Sequence, residues 1–323
     1  MSPLLRVLTI RLIPDRSPTR RSLRLFAAVV AAAVAMPAMA AVKLELRQTP
    51  NSKSVYQTET KTEQVLTLGD MDIETKSTAF IVTSFTTGER AGDGSLSIVQ
   101  KHDVLQTNLK LQGIEFQFDS GNPDNKPSLP QLEPLAAVLR TTFTTPVTTV
   151  LESDGKVREV SVPEAARADL DPAFKPLFDP GKLKKAAEQA RDVLTKEPVS
   201  PGDAWERNAE VNLDSGQMLS FVNRFEYTGP VERDGKMLHR IVVKPQSVTY
   251  SMAPDSPSPL KVTKSELKIT ESEGELLFDQ SKGLLTRDFN RVRIEGPMTF
   301  SFGGQEIPGK VNLQITKTST LQP

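Results

Sequence analysis

Lys310-Val311-Asn312-Leu313-Gln314-Ile315 alternates polar with apolar residues over six positions, the period of a strand with one wet face and one buried face. Arg291-Val292-Arg293-Ile294-Glu295 repeats the pattern, and near the other end Val42, Leu44 and Leu46 alternate with Lys43, Glu45 and Arg47. A period close to two runs from Val42 to Ser120 and returns from Ala204 to Thr318. It predicts two β-rich halves. Gly69-Asp70, Asp154-Gly155, Asp214-Ser215-Gly216, Asp234-Gly235, Ser281-Lys282-Gly283 and Gly303-Gly304 punctuate the strands as turns. Asn122–Pro130 and Pro254–Pro259 read as proline-rich loops.

Between the halves the period changes. A short helix is expected from near Pro134, on Leu135, Val138 and Leu139. Val147–Leu151 and Val157–Val162 flank Asp154-Gly155 as a hairpin. Asp179-Pro180 supplies an N-cap followed by proline at the first helical position. Leu183, Ala186, Ala187, Ala190, Val193 and Leu194 then form an amphipathic stripe, predicting a helix over 180–196. A one-sided apolar sheet needs a cover, and this helix supplies it. The expected class is α+β and predominantly antiparallel β: a curved sheet or half-barrel meander, duplicated or single, with a short helical insert packed on the apolar face. The organisation is residues 1–40 as a signal peptide, 41–130 as the first β-half, 131–202 as a helical insert with one hairpin, and 203–323 as the second β-half.

The halves echo one another. Thr87-Gly88 precedes Asp93-Gly94 as Thr228-Gly229 precedes Asp234-Gly235, with the same gap. Each half also has an apolar-x-Phe-x-Phe strand, Ile114-x-Phe116-x-Phe118 and Met298-x-Phe300-x-Phe302. Read as core, those phenylalanines need no further role. Read as function, Phe116, Phe118, Phe300 and Phe302 line an apolar cavity with Leu183 and Ala187 of the helix, large enough for an acyl chain.

The first 40 residues differ in composition. Six arginines precede an apolar run from Leu25 to Met36, which ends at Ala38-Met39-Ala40, the small-x-small pattern of a cleavage site between Ala40 and Ala41. The run is shorter than the ~20 residues a membrane span needs. Export to the periplasm or cell envelope is the expectation, with a retained N-terminal anchor as the alternative. Thr19-Arg20-Arg21-Ser22-Leu23 partly matches a twin-arginine signal but lacks the usual aromatic residue, which favours the general secretory route. Removing this segment takes away six basic residues and one acidic one, turning a balanced chain (Lys+Arg 40, Asp+Glu 40) into one of about −5. With no long basic run, nucleic acid is a poor partner.

The chemistry is as sparse as the charge. Cys 0 excludes disulfides, thiolate nucleophiles and zinc fingers, and His 2 cannot build a three-histidine zinc site. There is no Gly-x-Ser-x-Gly and no glycine-rich phosphate loop; His102 and His239 sit in strand-like segments beside Lys101 and Arg240. Asp70, Asp72 and Glu74 alternate, but Thr75 and Ile81 stand where an EF-hand loop needs Gly and Glu. One Trp and three Tyr leave few platforms for sugar rings, and Trp205 is read as plugging the edge of the core. No catalytic residue, metal or cofactor is expected.

The Thr-rich strands ending in Leu68-Gly69-Asp70, the Asp154-Gly155 hairpin and Pro201-Gly202-Asp203-x-Trp205 together resemble a family of exported bacterial proteins of unassigned function, typical of planctomycetes. The resemblance covers most of the mature chain but rests on turn residues, and implies no catalytic group. More remotely, a curved antiparallel sheet hugging helices is similar to the half-barrels of periplasmic lipoprotein and lipid carriers. The functional expectation is an exported, non-enzymatic binding or scaffold protein, in its sharper form a carrier of lipid or another apolar small molecule. The rivals are an envelope module that recruits a protein by strand-edge pairing and a hydrolase built on a carboxylate pair.

Overall fold

The computed structural model describes residues 40–122, 127, 129–168, 175–214, 217–252 and 261–323. Residues 1–39 of the expected signal peptide, most of the middle of the 122–130 loop, the whole 254–259 loop and the Ser215-Gly216 turn lie outside the described residues. In chain order come β1 (Lys53–Leu68), β2 (Met71–Arg90), β3 (Leu96–Leu111), β4 (Ile114–Asp119), α1 (Glu133–Thr144), β5 (Val147–Leu151), β6 (Val157–Ser161), α2 (Ala165–Ala168) and α3 (Pro180–Arg191). Then follow β7 (Ala204–Asp214), β8 (Gln217–Arg233), β9 (Lys236–Met252), β10 (Lys261–Ser265), β11 (Lys268–Asp279), β12 (Leu284–Phe302) and β13 (Gln305–Leu321).

All strands join one antiparallel sheet, ordered β6-β5-β3-β2-β1-β13-β12-β11-β9-β8-β7, with β4 paired to β3 and β10 to β12. The first and last strands pair at its centre, from Tyr56–Leu321 to Leu68–Gly309. This is the connectivity of an up-and-down barrel whose ends have closed but whose middle is broken between β6 and β7. The strands are long (β2 has 20 residues) where most globular strands have about 3–10. Gln112-Gly113, Asp234-Gly235 and Gly303-Gly304 each place both central residues at positive φ, the type I′ geometry that matches strand twist.

The period-two pattern has a physical outcome. On β1, Thr58, Thr60, Thr62 and Gln64 are half-buried while Glu59, Lys61 and Glu63 are exposed. The strand residues of the buried clusters share one inner face with the first set. They include Ile98 and Leu151; Leu105, Phe116 and Phe118; Ile241, Leu276 and Phe278; Ile294, Phe300, Val311 and Leu313. The outer face carries charge, the reverse of a lipid-facing barrel.

The break is filled by α3. Its N-cap Asp179 accepts a hydrogen bond from Lys182 N (2.9 Å), as expected, but the helix ends at Arg191 rather than at 196. Leu183 and Ala187 pack with Val157 and Val160 of β6. On its other side Gln189 holds the β7 edge, donating from Nε2 to Glu210 O (3.4 Å) and accepting from Glu210 N (3.3 Å), while Lys185 Nζ meets Glu210 Oε2 at 2.5 Å. One helix thus touches both edge strands, so the sheet must curl for them to meet it. The helix expected to roof the apolar face serves mainly as a seam. The roof over Phe116 and Phe118 is α1, through Leu135, Leu139 and Phe143, with Leu132 from the turn before it.

Two further features shape the inner face. The segment from Val42 to Arg47 crosses the second half: Val42 bridges to Val199, Leu44 is buried against Leu194, Tyr227 and Phe278, and Arg47 N donates to Gly283 O (2.9 Å). Trp205 stacks on Phe225 (5.8 Å between ring centroids) beside the same cluster and donates from Nε1 to Val193 O (3.0 Å). β9 and β11 pair only between His239–Phe278 and Val242–Glu275. Gly274 sits at that apex, where a Cβ would lie 2.7 Å from Val243 O. Bulges at Gln246 and Thr270 then part the two strands. The β8–β9 hairpin leans inward, and Leu219, Phe221 and Val248 join Ile294, Met298 and Leu313 in one cluster.

The two echoed hairpins are alike in one respect and differ in loop length, five residues between β2 and β3 against two between β8 and β9. β2–β3 and β8–β9 each have a register shift, at Thr87/Arg90 and Tyr227/Gly229, before an Asp-Gly turn. The Phe-x-Phe strands are not equivalent: β4 flanks β3, whereas Phe300 and Phe302 end β12.

The turn anchored by Asp279 closes β11 onto β12. Its Oδ1 accepts from Ser281 N (2.9 Å), Ser281 Oγ (2.5 Å) and Lys282 N (3.1 Å). Burial opposes ionisation, but these bonds outweigh it and hold the carboxyl below its ordinary value. A lowered carboxyl contributes stability that is full above its unfolded pKa of about 4 and lost as pH falls through the lower folded value. Asp279→Asn is therefore expected to destabilise the protein at neutral pH by about 1–2 kcal/mol and to flatten the stability curve below pH ~4. Chemical denaturation across that pH range measures it.

Candidate functional site

The inner face between the covers is the candidate site. Contributing strands alternate, so every second residue of β1, β2, β12 and β13 reaches it, and the registers bring Thr60, Ala79, Thr107, Phe118, Lys317 and Asn290 into one cross-sheet row. Around Thr58–Thr62 and Lys317–Ser319 the floor is made of polar, half-buried side chains, between the apolar cluster at Phe118 and the one at Leu313. Thr58 Oγ1 and Ser319 Oγ share a hydrogen bond (2.9 Å). Lys317 Nζ pairs with Asp288 Oδ2 at 2.8 Å, and Asn290 Nδ2 donates to Asp288 Oδ1 at 2.5 Å.

At one end of this floor Tyr56 OH donates to Leu285 O (2.9 Å), and burial pushes its hydroxyl pKa up to about 12. Beside it Thr83 Oγ1 bonds His102 Nδ1 (3.0 Å). Burial lowers the His102 pKa, with Asp103 pulling the other way, which favours the neutral ring. His239 is occupied elsewhere, its Nδ1 on Tyr227 OH (2.7 Å) and its Nε2 on Gln280 Oε1 (3.1 Å). Among the described residues no three His, Asp or Glu side chains converge as a metal site.

The six side chains expected to line one cavity lie in four places. Phe116 and Phe118 are buried under α1, Leu183 and Ala187 pack α3 on β5 and β6, and Phe300 is buried in the cluster with Phe221 and Met298. Phe302 ends β12 at a hairpin tip and is exposed. Alternation put Phe300 and Phe302 on one face, but only the first lies deep enough to be covered. Ala40 and Ala41, the expected cleavage site, are both exposed. The floor residues Thr58, Thr60, Thr62, Lys317 and Asp288 were visible in sequence only as threonines at alternate positions and charges within strands. Their joint placement depends on β1 meeting β13.

Two open hollows lie elsewhere. One, of about 480 Å³, is the slit between Pro245–Val248 and Leu267–Ser272 where β9 and β11 part. Pro245 lacks an N–H, and both flanks are bulged, so this edge discourages an added strand. The other, about 780 Å³, lies along β1–β4 with Lys61, Phe80, Asn108 and Gln117 on its rim, and Gln106 Nε2 donates to Asp119 Oδ2 there (3.1 Å).

No helix among the described residues is long and apolar enough to cross a membrane. No family model matches the chain, and no curated protein matches it significantly. Among solved structures it is similar to lipovitellin, determined for its lipid–protein interactions, at 8% identity and a TM-score of 0.41 over 86% of this chain and 26% of that chain. It thus spans about a quarter of the lipovitellin chain. It is also similar to the translocator domain of autotransporter NalP from Neisseria meningitidis (8% identity, TM-score 0.21, 85% of this chain and 90% of that one). A third likeness is to the outer membrane protein opdK from Pseudomonas aeruginosa (6% identity, TM-score 0.18, 85% and 100%). These are distant likenesses, and no family is assigned by them.

Proposed function

We propose that the protein is an exported, non-catalytic binding protein of the periplasm or cell envelope, carrying an apolar or amphipathic small molecule such as a lipid on the inner face of its sheet. The observation that carries the reading is the unequal cover of that face. α1 packs over β3 and β4 and α3 over β6. Beyond α1, the stretch of floor formed by Thr58–Thr62 of β1, Ser77–Ala79 of β2 and Lys317–Ser319 of β13 keeps half-buried, mostly small side chains on its inner face. A trough with greasy flanks and a hydrogen-bonding floor suits a molecule having both an apolar body and a polar group. The non-catalytic part is supported by the side chains themselves: His102, His239 and Asp288 are each engaged in local hydrogen bonds within the sheet.

Native mass spectrometry of protein purified from its own compartment without detergent tests the reading. A lipid-sized adduct that organic extraction removes is the expected result. Only apo-protein, together with no saturable binding of a fluorescent fatty acid, would overturn it.

A further inference from the structure

Of the eight large apolar side chains exposed among the described residues, four lie on hairpin tips at one end of the sheet. The order β4-β3-β2-β1-β13-β12 places three neighbouring hairpins side by side, and the registers Leu111–Thr75 and Leu68–Gly309 put their tips at one end of the sheet. Each tip carries uncovered apolar side chains: Leu111 (39% exposed) and Ile114 (44%) on β3–β4, Met71 (54%) on β1–β2, and Phe302 (57%) on β12–β13. Their strand parity matches that of Leu109, Phe116, Leu68 and Phe300, so all four point to the inner-face side. A Cβ added at Gly69, Gly113, Gly303 or Gly304 would meet nothing within 4 Å, while Gln112 N donates to Glu74 O (3.3 Å) and Gly69 N to Pro308 O (2.9 Å), so two of the turns rest against the next hairpin and leave their outer sides open.

From this row we infer that the tips form a membrane-docking rim, its occupant being the surface of a neutral phospholipid bilayer. The geometry and charge argue for a bilayer. By register the tips step along the strands, Leu111 standing opposite Thr75 and Leu68 opposite Gly309. Points stepped in this way across six strands, roughly 24 Å at about 4.8 Å per strand, suit a yielding medium better than one flat protein surface. The charges exclude an electrostatic anchor. Asp70, Asp72 and Glu74 outnumber Lys76 on the β1–β2 hairpin, Lys110 is paired with Glu115 at 3.4 Å, and Glu306 and Lys310 share β13. Lys261 and Lys264 lie on β10 beside the end of β12, so acidic and basic residues around the rim are equal in number. With no basic excess, attraction to anionic headgroups is absent, and attachment rests on apolar insertion. The rim stands independently of what the inner face carries, although it would place the mouth of that face at the lipid surface.

Flotation with phosphatidylcholine vesicles, with and without phosphatidylglycerol, tests the inference on the mature chain. Wild-type protein is expected to float with neutral vesicles, and added phosphatidylglycerol to leave binding unchanged. Met71→Glu, Ile114→Glu and Phe302→Glu should each reduce partitioning about tenfold, as half-exposed apolar side chains allow, and the triple variant should abolish it. Met237→Glu, at a 63% exposed position on the opposite end, should bind as wild type does. Circular dichroism confirms the fold of each variant. The inference is overturned if wild type ignores neutral vesicles, if binding requires phosphatidylglycerol, or if light scattering shows that the triple variant dissolves a dimer instead. Loss of flotation with retention of the lipid adduct would separate the rim from the carrier reading.

Discussion

Phe278→Ala is expected to lower the unfolding free energy by about 3–5 kcal/mol, the usual cost of deleting a fully buried aromatic ring. Phe278 is among the most deeply buried side chains and lies where four distant segments converge: Leu44 before β1, Leu194 and Val199 after α3, Tyr227 and Ile241 of β8 and β9, and Leu276 of β11. Ladder hydrogen bonds on both sides of β11 fix the walls, so the cavity has little freedom to collapse. For a chain of this size the midpoint should fall by roughly 10 °C. Trp205, the single tryptophan, packs against the same cluster, so its fluorescence reports the transition. Phe278→Leu should recover most of the loss. A cost below about 1 kcal/mol would show that the convergence is loosely packed.

Gly296→Ala should be nearly as damaging, for the opposite reason. A Cβ at Gly296 would stand 2.1 Å from Glu266 O and 2.9 Å from Glu266 C. The obstacle is backbone. Glu266 N donates to Pro297 O (3.0 Å) where β10 runs into β11, so the chain cannot retreat without breaking the join that lets both strands pair with β12. Overpacking of this kind costs about 1–3 kcal/mol and, against a fixed backbone, sometimes more. Thermal melting should show a drop of several degrees, and hydrogen exchange should show protection lost first over 261–273. Gly303→Ala tests backbone strain without a clash, since its φ is +57° but a Cβ there meets nothing within 4 Å. It should cost about 1 kcal/mol. Equal losses at the two sites would refute the steric account of Gly296.

Much of the fold was legible locally. Alternation of Val311, Leu313 and Ile315, or of Thr58, Thr60 and Thr62, follows from the two faces of a strand. Asp-Gly and Gly-Gly pairs marked hairpins because few other residues tolerate positive φ, and Asp179-Pro180 marked α3 because a cap and a proline suit the first turn. The site was less legible. Phe116 and Phe300 look alike in sequence, yet one lies under α1 and the other under the β8–β9 hairpin, because period-two patterning states which face is buried and not what buries it.

By itself, the chain's order of residues determined an antiparallel β-protein with a helical middle, its turns and its inward face, since all of these are set within a few residues. Only the tertiary structure decided that β1 closes on β13, that α3 stands in the seam between β6 and β7, and that three greasy hairpin tips share one end. Those outcomes depend on contacts between residues hundreds of positions apart. Such contacts are selected by how well whole faces bury one another, and no local pattern records that.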